Sequence, residues 1–419
     1  MHASDATNQM KPWLWFLLAI AVAAISWSYS HRILIPWDFY VNQQRNGLKE
    51  DMGDLYARWV GTRELMLHGK NPYSAEVSHE IQMGFYGHII EQSYDNPRVR
   101  ILDEQRFVYP IYVVFLLAPA VHADFSVLNV WAPAALALFT AISIWLWLDV
   151  VRWKPPFLSI VAVSLFVLSS PQLAQGLRLR QLGLFVAFLL ALASWSLVRQ
   201  RYFLAGIPLA LATIKPQMMI LCLAWFLLWM SGDWKKRWPL GLGFGISMAA
   251  LAGAGELLVP GWPRDFIVGL AAYRKYFPTT SCLRMLLGNW IGWPLSFILL
   301  IFLFVYAWHK RQAETTSAEF LHVLAVFFVA SGLILPLLAP YNQVLLLLPL
   351  MILLRDWGQL SKTIRWVFIA VVAWHPVTAL ALLVRPPRLD SFTPLPLLPS
   401  AMVFVFVALF LFMPREQPV

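Results

Sequence analysis

Tyr109-Pro-Ile-Tyr-Val-Val-Phe-Leu-Leu-Ala-Pro-Ala-Val121 decides how the rest of the chain is threaded. The stretch is apolar but short, and it is bounded by Pro110 and Pro119. Whether it crosses a bilayer fixes the side on which every later loop emerges. If it crosses, Lys235-Lys236-Arg237 falls outside. If it dips in and returns, that cluster falls inside with the other basic turns: Arg152 and Lys154, Arg199 and Arg201, Lys310-Arg311, and Arg355 with Lys362 and Arg365. The positive-inside rule selects the second threading, so 108–121 is expected to be re-entrant or interfacial.

Composition makes the chain a membrane protein. Of 419 residues, 59% are hydrophobic, 15% aromatic and only 13% charged, and the mean hydropathy is +0.63. A soluble chain carries about a quarter charged residues. Here the charges gather in short clusters between apolar runs suited to a hydrocarbon core of roughly 30 Å, so helices rather than a barrel are implied. The expected fold is an all-α polytopic bundle, one module over 1–419. Spans are expected at 13–29, 126–150, 157–174, 181–198, 202–215, 216–232, 238–259, 289–308, 320–338, 341–354, 364–384 and 396–413, about twelve with both termini on one side. The first is long for a signal-peptide core and reads as a retained anchor, with Ala23, Ala24 and Ser26 leaving a cleaved signal as the alternative.

Several function classes drop out. The formal net charge of +10 raises nucleic acid as a partner, but Lys and Arg sit at the ends of apolar segments, where they anchor and orient helices, so none is expected. Cys222 and Cys282 have the spacing of neither a disulfide framework nor a metal site. Leu240-Gly-Leu-Gly-Phe-Gly245 follows no strand, so it reads as close helix packing rather than a nucleotide loop. No sizeable cytoplasmic domain is left to hold a nucleotide-sugar.

Two long polar loops interrupt the apolar chain, 33–107 and 260–288, both outside on the threading chosen. The first holds Asp54-Leu-Tyr-Ala-Arg-Trp-Val-Gly-Thr-Arg-Glu-Leu-Met-Leu-His-Gly-Lys-Asn-Pro-Tyr73. This pattern predicts a helix from near Asp54 to about His68, closed by Gly69. A carboxylate at a helix start is favoured in its ionised form, whether as an N-cap or as a base, and Asp51 is the alternative one turn earlier.

The same side collects Gln175 and Gly176, Arg178, Arg180 and Gln181, Lys215-Pro216-Gln217, Tyr273, Arg274, Lys275 and Arg284, Tyr341-Asn342-Gln343, and Arg385 with Arg388. Positive charge on the side that the rule disfavours suits an anionic lipid headgroup, although snorkelling to ordinary lipids accounts for any single one of them. Lys215 is the sharpest case, because the proline after it breaks the helix beside a charge. His375, before Pro376, is a candidate contact for a phosphate or hydroxyl, or a helix-packing histidine. Tyr73, Tyr109 and Tyr341 could stack on sugar rings or belong to an interfacial belt.

Three stretches carry a resemblance to glycosyltransferase family 87 of the GT-C superfamily. Asp54 to Tyr73 is similar to the family's Asp, aromatic, small-residue helix and Gly-x-x-Pro-Tyr. Phe107-Val-Tyr-Pro-Ile-Tyr-Val-Val-Phe-Leu-Leu-Ala-Pro119 resembles its Phe-x-Tyr-Pro-Pro, with Ile111 in place of the second proline. Gln175-Gly176, Arg201 to Gly206 and Lys215-Pro216-Gln217 are similar to its Gln-Gly, Arg-x-x-x-x-Ala-Gly and Lys-Pro-Gln. Leu177-Arg-Leu-Arg-Gln181 departs from the usual Gly-Gln.

The resemblance implies a GT-C-like bundle and an inverting, metal-independent enzyme. The donor would be a polyprenyl-phosphate-linked sugar, mannose-like or arabinose, and the acceptor a glycolipid or glycan hydroxyl on the extracytoplasmic face. It makes Asp54 the catalytic base. Gln175, Lys215 and Gln217 lie in the resembling stretches and become candidates for donor phosphate or substrate; Arg178 and Arg180, where the pattern departs, and Arg274, Lys275, His375, Tyr73, Tyr109 and Asn342 join them by position and charge rather than by the resemblance. One carboxylate suffices for an inverting transfer, since a phosphate leaving group needs charge stabilisation rather than a proton. A bacterial inner membrane fits the absence of Asn-x-Ser/Thr sites. Two competing readings are a transporter or flippase of a polyprenyl-linked or other anionic lipid, and an envelope polysaccharide polymerase or ligase. The first lacks internal repeats and the second a large late loop.

Overall fold

The computed structural model describes residues 12–37, 39–40, 52–90, 104–276, 280–337 and 339–388, except the side chains of Pro12, Lys275 and Tyr276. Within these residues every regular element is helical. The longer helices, in chain order, are α1 (Pro12–Tyr29), α2 (Leu55–His68), α3 (Ala75–Tyr86), α4 (Phe125–Val150), α5 (Phe157–Leu168), α6 (Pro171–Arg178), α7 (Leu182–Val198) and α8 (Tyr202–Ala212). There follow α9 (Pro216–Gly232), α10 (Trp234–Leu258), α11 (Trp262–Tyr276), α12 (Cys282–Lys310), α13 (Ala318–Ile334), α14 (Leu347–Arg355) and α15 (Lys362–Val384).

Among the described residues, five helical stretches are long and apolar enough to cross a bilayer: Trp13–Trp37, α4, α10, α12 and α15. A sixth arises if α5 and α6, bent by 57° at Ser169-Ser170, form one span. The remaining apolar helices are shorter, 10–17 residues, and α7, α8, α9 and α13 are among them. The apolar run expected at 396–413 lies outside the described residues.

Hydrocarbon gives apolar side chains no reason to leave lipid for one another, so the bundle depends on close approach and shape. A Cβ added at Gly206 of α8 would lie 2.3 Å from the Phe244 nitrogen, and one at Gly243 of α10 would lie 2.1 Å from the Phe203 carbonyl. The glycine-rich run expected to serve helix packing does so at Gly243, while Gly245 faces open space. Centrally, α13 is buried from Phe320 to Leu333. Trp225, Phe226 and Trp229 of α9 pack on its Phe320 and Phe327. Cys222 and Cys282 are both buried and unpaired with each other.

Polar groups sort to the two ends of these helices. At one end Arg237 stacks 4.0 Å from the Trp229 ring and donates to the carbonyls of Trp229, Arg311, Gln312 and Ala313. That end also holds Lys236 with Glu314 and Arg199 with Asp149. Gln181 and Arg199 flank the two ends of α7, and Lys215 and Gly232 the two ends of α9, so the Asp54 region lies at the opposite end.

A second apolar core lies under the first loop. Trp59 and Val60 of α2 and Ile81 of α3 pack with Phe107, Ile111, Val113, Ile214 and Trp262. Gly61 leaves room for the Phe107 ring, which an added Cβ would meet at 2.4 Å. The stretch Ile111–Ala120 is a series of short turns, and the Trp59 indole donates to the carbonyl of Ala120 at 3.2 Å. Ten helical residues reach only about 15 Å, half the hydrocarbon core. This packing seats α2 beside Ile214, next to the broken junction between α8 and α9.

Candidate active site

Gly53 begins the site. Its φ of +56° is a left-handed conformation, and an added Cβ would lie 2.9 Å from the Leu179 carbonyl oxygen, so glycine alone fits. This close approach lets the Asp54 amide donate to that same carbonyl at 3.0 Å, tying the loop to the end of α6.

Asp54 precedes the first residue of α2, which runs to His68 and closes at left-handed Gly69, as the sequence predicts. Its carboxylate does not cap the helix: the backbone is helical (φ −71°, ψ −6°) and no side-chain cap bond forms. Instead Oδ2 accepts from Gln181 Nε2. The alternative base, Asp51, lies outside the described residues.

Gln181 follows a strained turn. The amide of Arg180 donates to the carbonyl of Leu177 at 3.1 Å, and that of Gln181 to the carbonyl of Gly176 at 2.8 Å. These two bonds form the Schellman ending of α6, and Arg180 holds its left-handed position (φ +51°) where glycine is usual. Strain of this sort persists where surrounding contacts over-determine it. Here the Arg180 carbonyl accepts from Arg58 Nη2 at 2.6 Å.

Lys215 completes the bridge. The α8–α9 junction places it before Pro216, at 7% exposure. Its Nζ donates to Gln181 Oε1 and to Asn342 Oδ1, both at 3.2 Å, and lies 4.6 Å from the centre of the Tyr341 ring. Asn342 is held in turn by its own bond to the carbonyl of Leu337. Glycines make this closeness possible. A Cβ at Gly176 would lie 2.9 Å from that of Tyr341, and one at Gly183 would lie 3.1 Å from Lys215 Nζ and 3.4 Å from Asn342 Oδ1.

Arg58, one helical turn after Asp54, is fully buried. Its Nε donates to the Asp54 carbonyl at 2.9 Å, its guanidinium sits 5.0 Å from the centre of the Tyr109 ring, and Nη1 is buried without a partner. Among the described residues of this network, two cations, Arg58 and Lys215, face one carboxylate, Asp54. Burial holds the Asp54 carboxyl above the ordinary carboxylate range, while the charges of Arg58 and Lys215 and the Gln181 bond pull the other way. Asp54 nonetheless keeps part of its surface accessible. The cluster can therefore offer a raised-pKa carboxylate to a hydroxyl and a spare positive charge to an anion.

The structure brings Asp54, Lys215, Asn342 and Tyr109 together and places Arg178 and Arg180 there through their backbones. Gln175 of α6 has a buried side-chain oxygen without a partner. Tyr73 donates to the carbonyl of Tyr109 at 2.6 Å and packs edge-on against Phe107, bracing the loop. Gln217 and Arg274 are exposed, outside the network, and the side chain of Lys275 is not among those described. His375 of α15 lines a separate cavity of about 440 Å³ with Ser26, Gln172, Tyr341, Gln343 and Trp374. Both of its ring nitrogens and Gln343 Nε2 are buried without partners.

The sequence alone gives Arg58 no part in the site and places Gln181 there only as one member of the polar set on the Asp54 side. The clue to Arg58 is an arginine four residues after an acid on a helix that begins the resemblance; Gln181 shows only as a polar residue before the apolar run of α7. No group of three or more His, Cys, Asp or Glu side chains gathers among the described residues in a way that could hold a metal ion. The family model described as glycosyltransferase family 87 matches residues 107–336, more than half of the 419-residue chain. The matched span includes Tyr109, Gln181 and Lys215, with Asp54 and Arg58 before it and Asn342 after it. No curated protein and no solved structure matches the chain.

Proposed function

The chain belongs to glycosyltransferase family 87, and from that premise we propose an inverting transfer of a sugar, a mannose-like hexose or arabinose, from a polyprenyl-phosphate donor to a glycolipid or glycan hydroxyl. Asp54 is the general base. It takes the acceptor's hydroxyl proton, the acceptor oxygen forms the new bond to the anomeric carbon from one face, and the bond to phosphate oxygen breaks on the other. The electron pair stays on the departing polyprenyl phosphate.

One observation carries this reading: a carboxylate released from helix capping sits, through one amide, beside a buried lysine, in a network whose described residues set two basic groups against one acid. Buried charges are stable when compensated, so the network favours an incoming anion, and charge-assisted bonds from Lys215 and Arg58 suit a phosphate. No divalent ion is needed to offset the leaving group's charge when two cations do so.

The largely apolar cavity beside Tyr341 supports a donor with a long hydrocarbon tail, because Tyr341 both lines the cavity and sets its ring 4.6 Å from the Lys215 ammonium. On the positive-inside reading the Asp54 end of the bundle faces away from the cytoplasm, in keeping with a bacterial inner-membrane enzyme that works on the periplasmic side. A bundle of about twelve spans, with 33–107 as the active-site loop and 108–121 re-entrant, belongs to the same proposal.

The test is transfer by the purified full-length protein, given radiolabelled polyprenyl-phosphate mannose or arabinose and a membrane lipid extract. Labelled glycolipid or glycan forming with wild type, and not with Asp54→Asn, is the expected result. No transfer from either donor would overturn the donor assignment.

A further inference from the structure

Gln181 is 2% exposed, and its side chain has one orientation that its neighbours allow. The NH₂ end faces the Asp54 carboxylate, which only accepts, and the carbonyl end faces the Lys215 ammonium, which only donates. Flipping the amide would set acceptor against acceptor and donor against donor. Its backbone is fixed as well, since its amide closes the ending of α6 at 2.8 Å while the residue itself opens α7. The side chain makes no cap bond to α7, so it is free to bridge the site.

We propose that Gln181 is the positioning residue of the transfer, a spacer that orients the carboxylate of Asp54 and sets its separation from the phosphate-binding ammonium of Lys215. This rests on the reading of Asp54 as the base. An inverting displacement places the acceptor oxygen, the anomeric carbon and the leaving oxygen on one line. The base beside the acceptor oxygen and the cation beside the phosphate must therefore keep a fixed separation on the face that the sugar approaches. A single rigid amide bonded to both groups fixes that distance.

The ammonium can serve the donor without releasing the spacer. Of its three hydrogens, two go to Gln181 and Asn342, and one remains for a phosphate oxygen. Asn342, anchored to Leu337, resists rotation of the lysine when the anion binds.

The experiment compares wild type, Gln181→Met and Gln181→Glu as purified full-length proteins, with radiolabelled polyprenyl-phosphate mannose or arabinose as donor. Methionine keeps the length but makes neither bond. Glutamate keeps an acceptor for Lys215 but sets a second carboxylate against Asp54. The readouts are kcat, donor KM, thermal midpoint and the pH dependence of kcat. A positioning role predicts that kcat falls about 10- to 100-fold in both variants, by analogy with the loss of a group that orients a catalytic ligand. Donor KM should change less than kcat. The acidic limb of the profile should move to higher pH in both: one loses a donor to the carboxylate, the other gains a like charge.

A wild-type pH profile in Gln181→Met with a kcat within threefold of normal overturns the proposal. So does failure of both variants to fold, which would make the residue part of the scaffold. Asp54→Asn separates this from the underlying reading. If that variant is inactive while Gln181→Met behaves as wild type, only the spacer falls; if Asp54→Asn is active, the base assignment falls first.

Discussion

Asp54 and Lys215 are joined through the single amide of Gln181, which donates to the carboxylate of one and accepts from the ammonium of the other at 3.2 Å. Residues 161 positions apart in sequence (215 − 54) are thus held as one unit across three segments, the start of α2, the start of α7 and the α8–α9 junction.

Lys215→Met should weaken donor binding while leaving the bundle assembled. The variant loses a charge-assisted bond to phosphate worth about 1.5 to 3 kcal/mol, roughly a 10- to 150-fold rise in donor Kd. Binding of a labelled polyprenyl-phosphate sugar to purified variant and wild type measures it. Equal affinities would leave Lys215 with a structural task only.

Gly183→Ala tests the fit around that lysine with one methyl group. The new Cβ would sit 3.1 Å from Lys215 Nζ and 3.4 Å from Asn342 Oδ1, tight enough to shift the ammonium by a few tenths of an ångström. Transfer should fall more than tenfold, since small misplacements in an aligned site cost up to 10²-fold. Gly253→Ala in α10 is the control, with nothing within 4 Å of the added carbon. It should keep full activity and gain about 0.5 to 1 kcal/mol of stability. Parallel loss of activity in both variants would argue against a local effect.

How far the site could be read from sequence depends on whether a residue's role is local. Gly69 marked the end of α2 because a left-handed helix ending is a property of neighbouring residues. Lys215-Pro216 marked a break for the same reason, and the match to family 87 agrees with the resemblance seen in the ordered fragments Phe107 to Pro119 and Gln175 to Gln217. The bridging role of Gln181 had no local mark: it depends on two partners 127 and 34 residues away. Arg58 looked like one more charge on a polar loop helix, since burial of a guanidinium under Tyr109 is set by tertiary packing. Span counting was limited in a similar way. Helices such as α8 and α13 are apolar but short, so length and hydropathy alone do not say whether they cross.

Arg58→Lys should not substitute for the wild type. The guanidinium donates through two different nitrogens to the carbonyls of Asp54 and Arg180, and a single ammonium on a flexible stem does not reproduce that fork. With one carbonyl left buried and unsatisfied, the variant should lose about 1 to 3 kcal/mol of stability and most of its transfer. Thermal unfolding in detergent together with the transfer assay checks both. A fully active, fully stable Arg58→Lys would assign this residue charge alone.

The pH dependence follows from the burial of Asp54. Its carboxyl is held above the ordinary value of 3.8, and the base works only when ionised, so kcat should fall as pH drops through a limb lying above that value. Stability runs the other way. A carboxyl whose folded pKa is raised contributes most below its unfolded pKa, and that contribution is lost as pH rises through the folded one. Subtracting the melting profile of Asp54→Asn from that of wild type should show this loss over the window where activity appears. Activity and the stability difference rising together would mean that the controlling group is not Asp54.

The most direct measurement is the transfer rate of Asp54→Asn beside its folding and donor binding. Asparagine keeps the size of the side chain but cannot take a proton from the acceptor. The account predicts a rate lower by about 10²- to 10⁴-fold, with folded yield and donor affinity near wild type. Transfer within a few-fold of wild type by a folded Asp54→Asn would contradict the single-carboxylate mechanism.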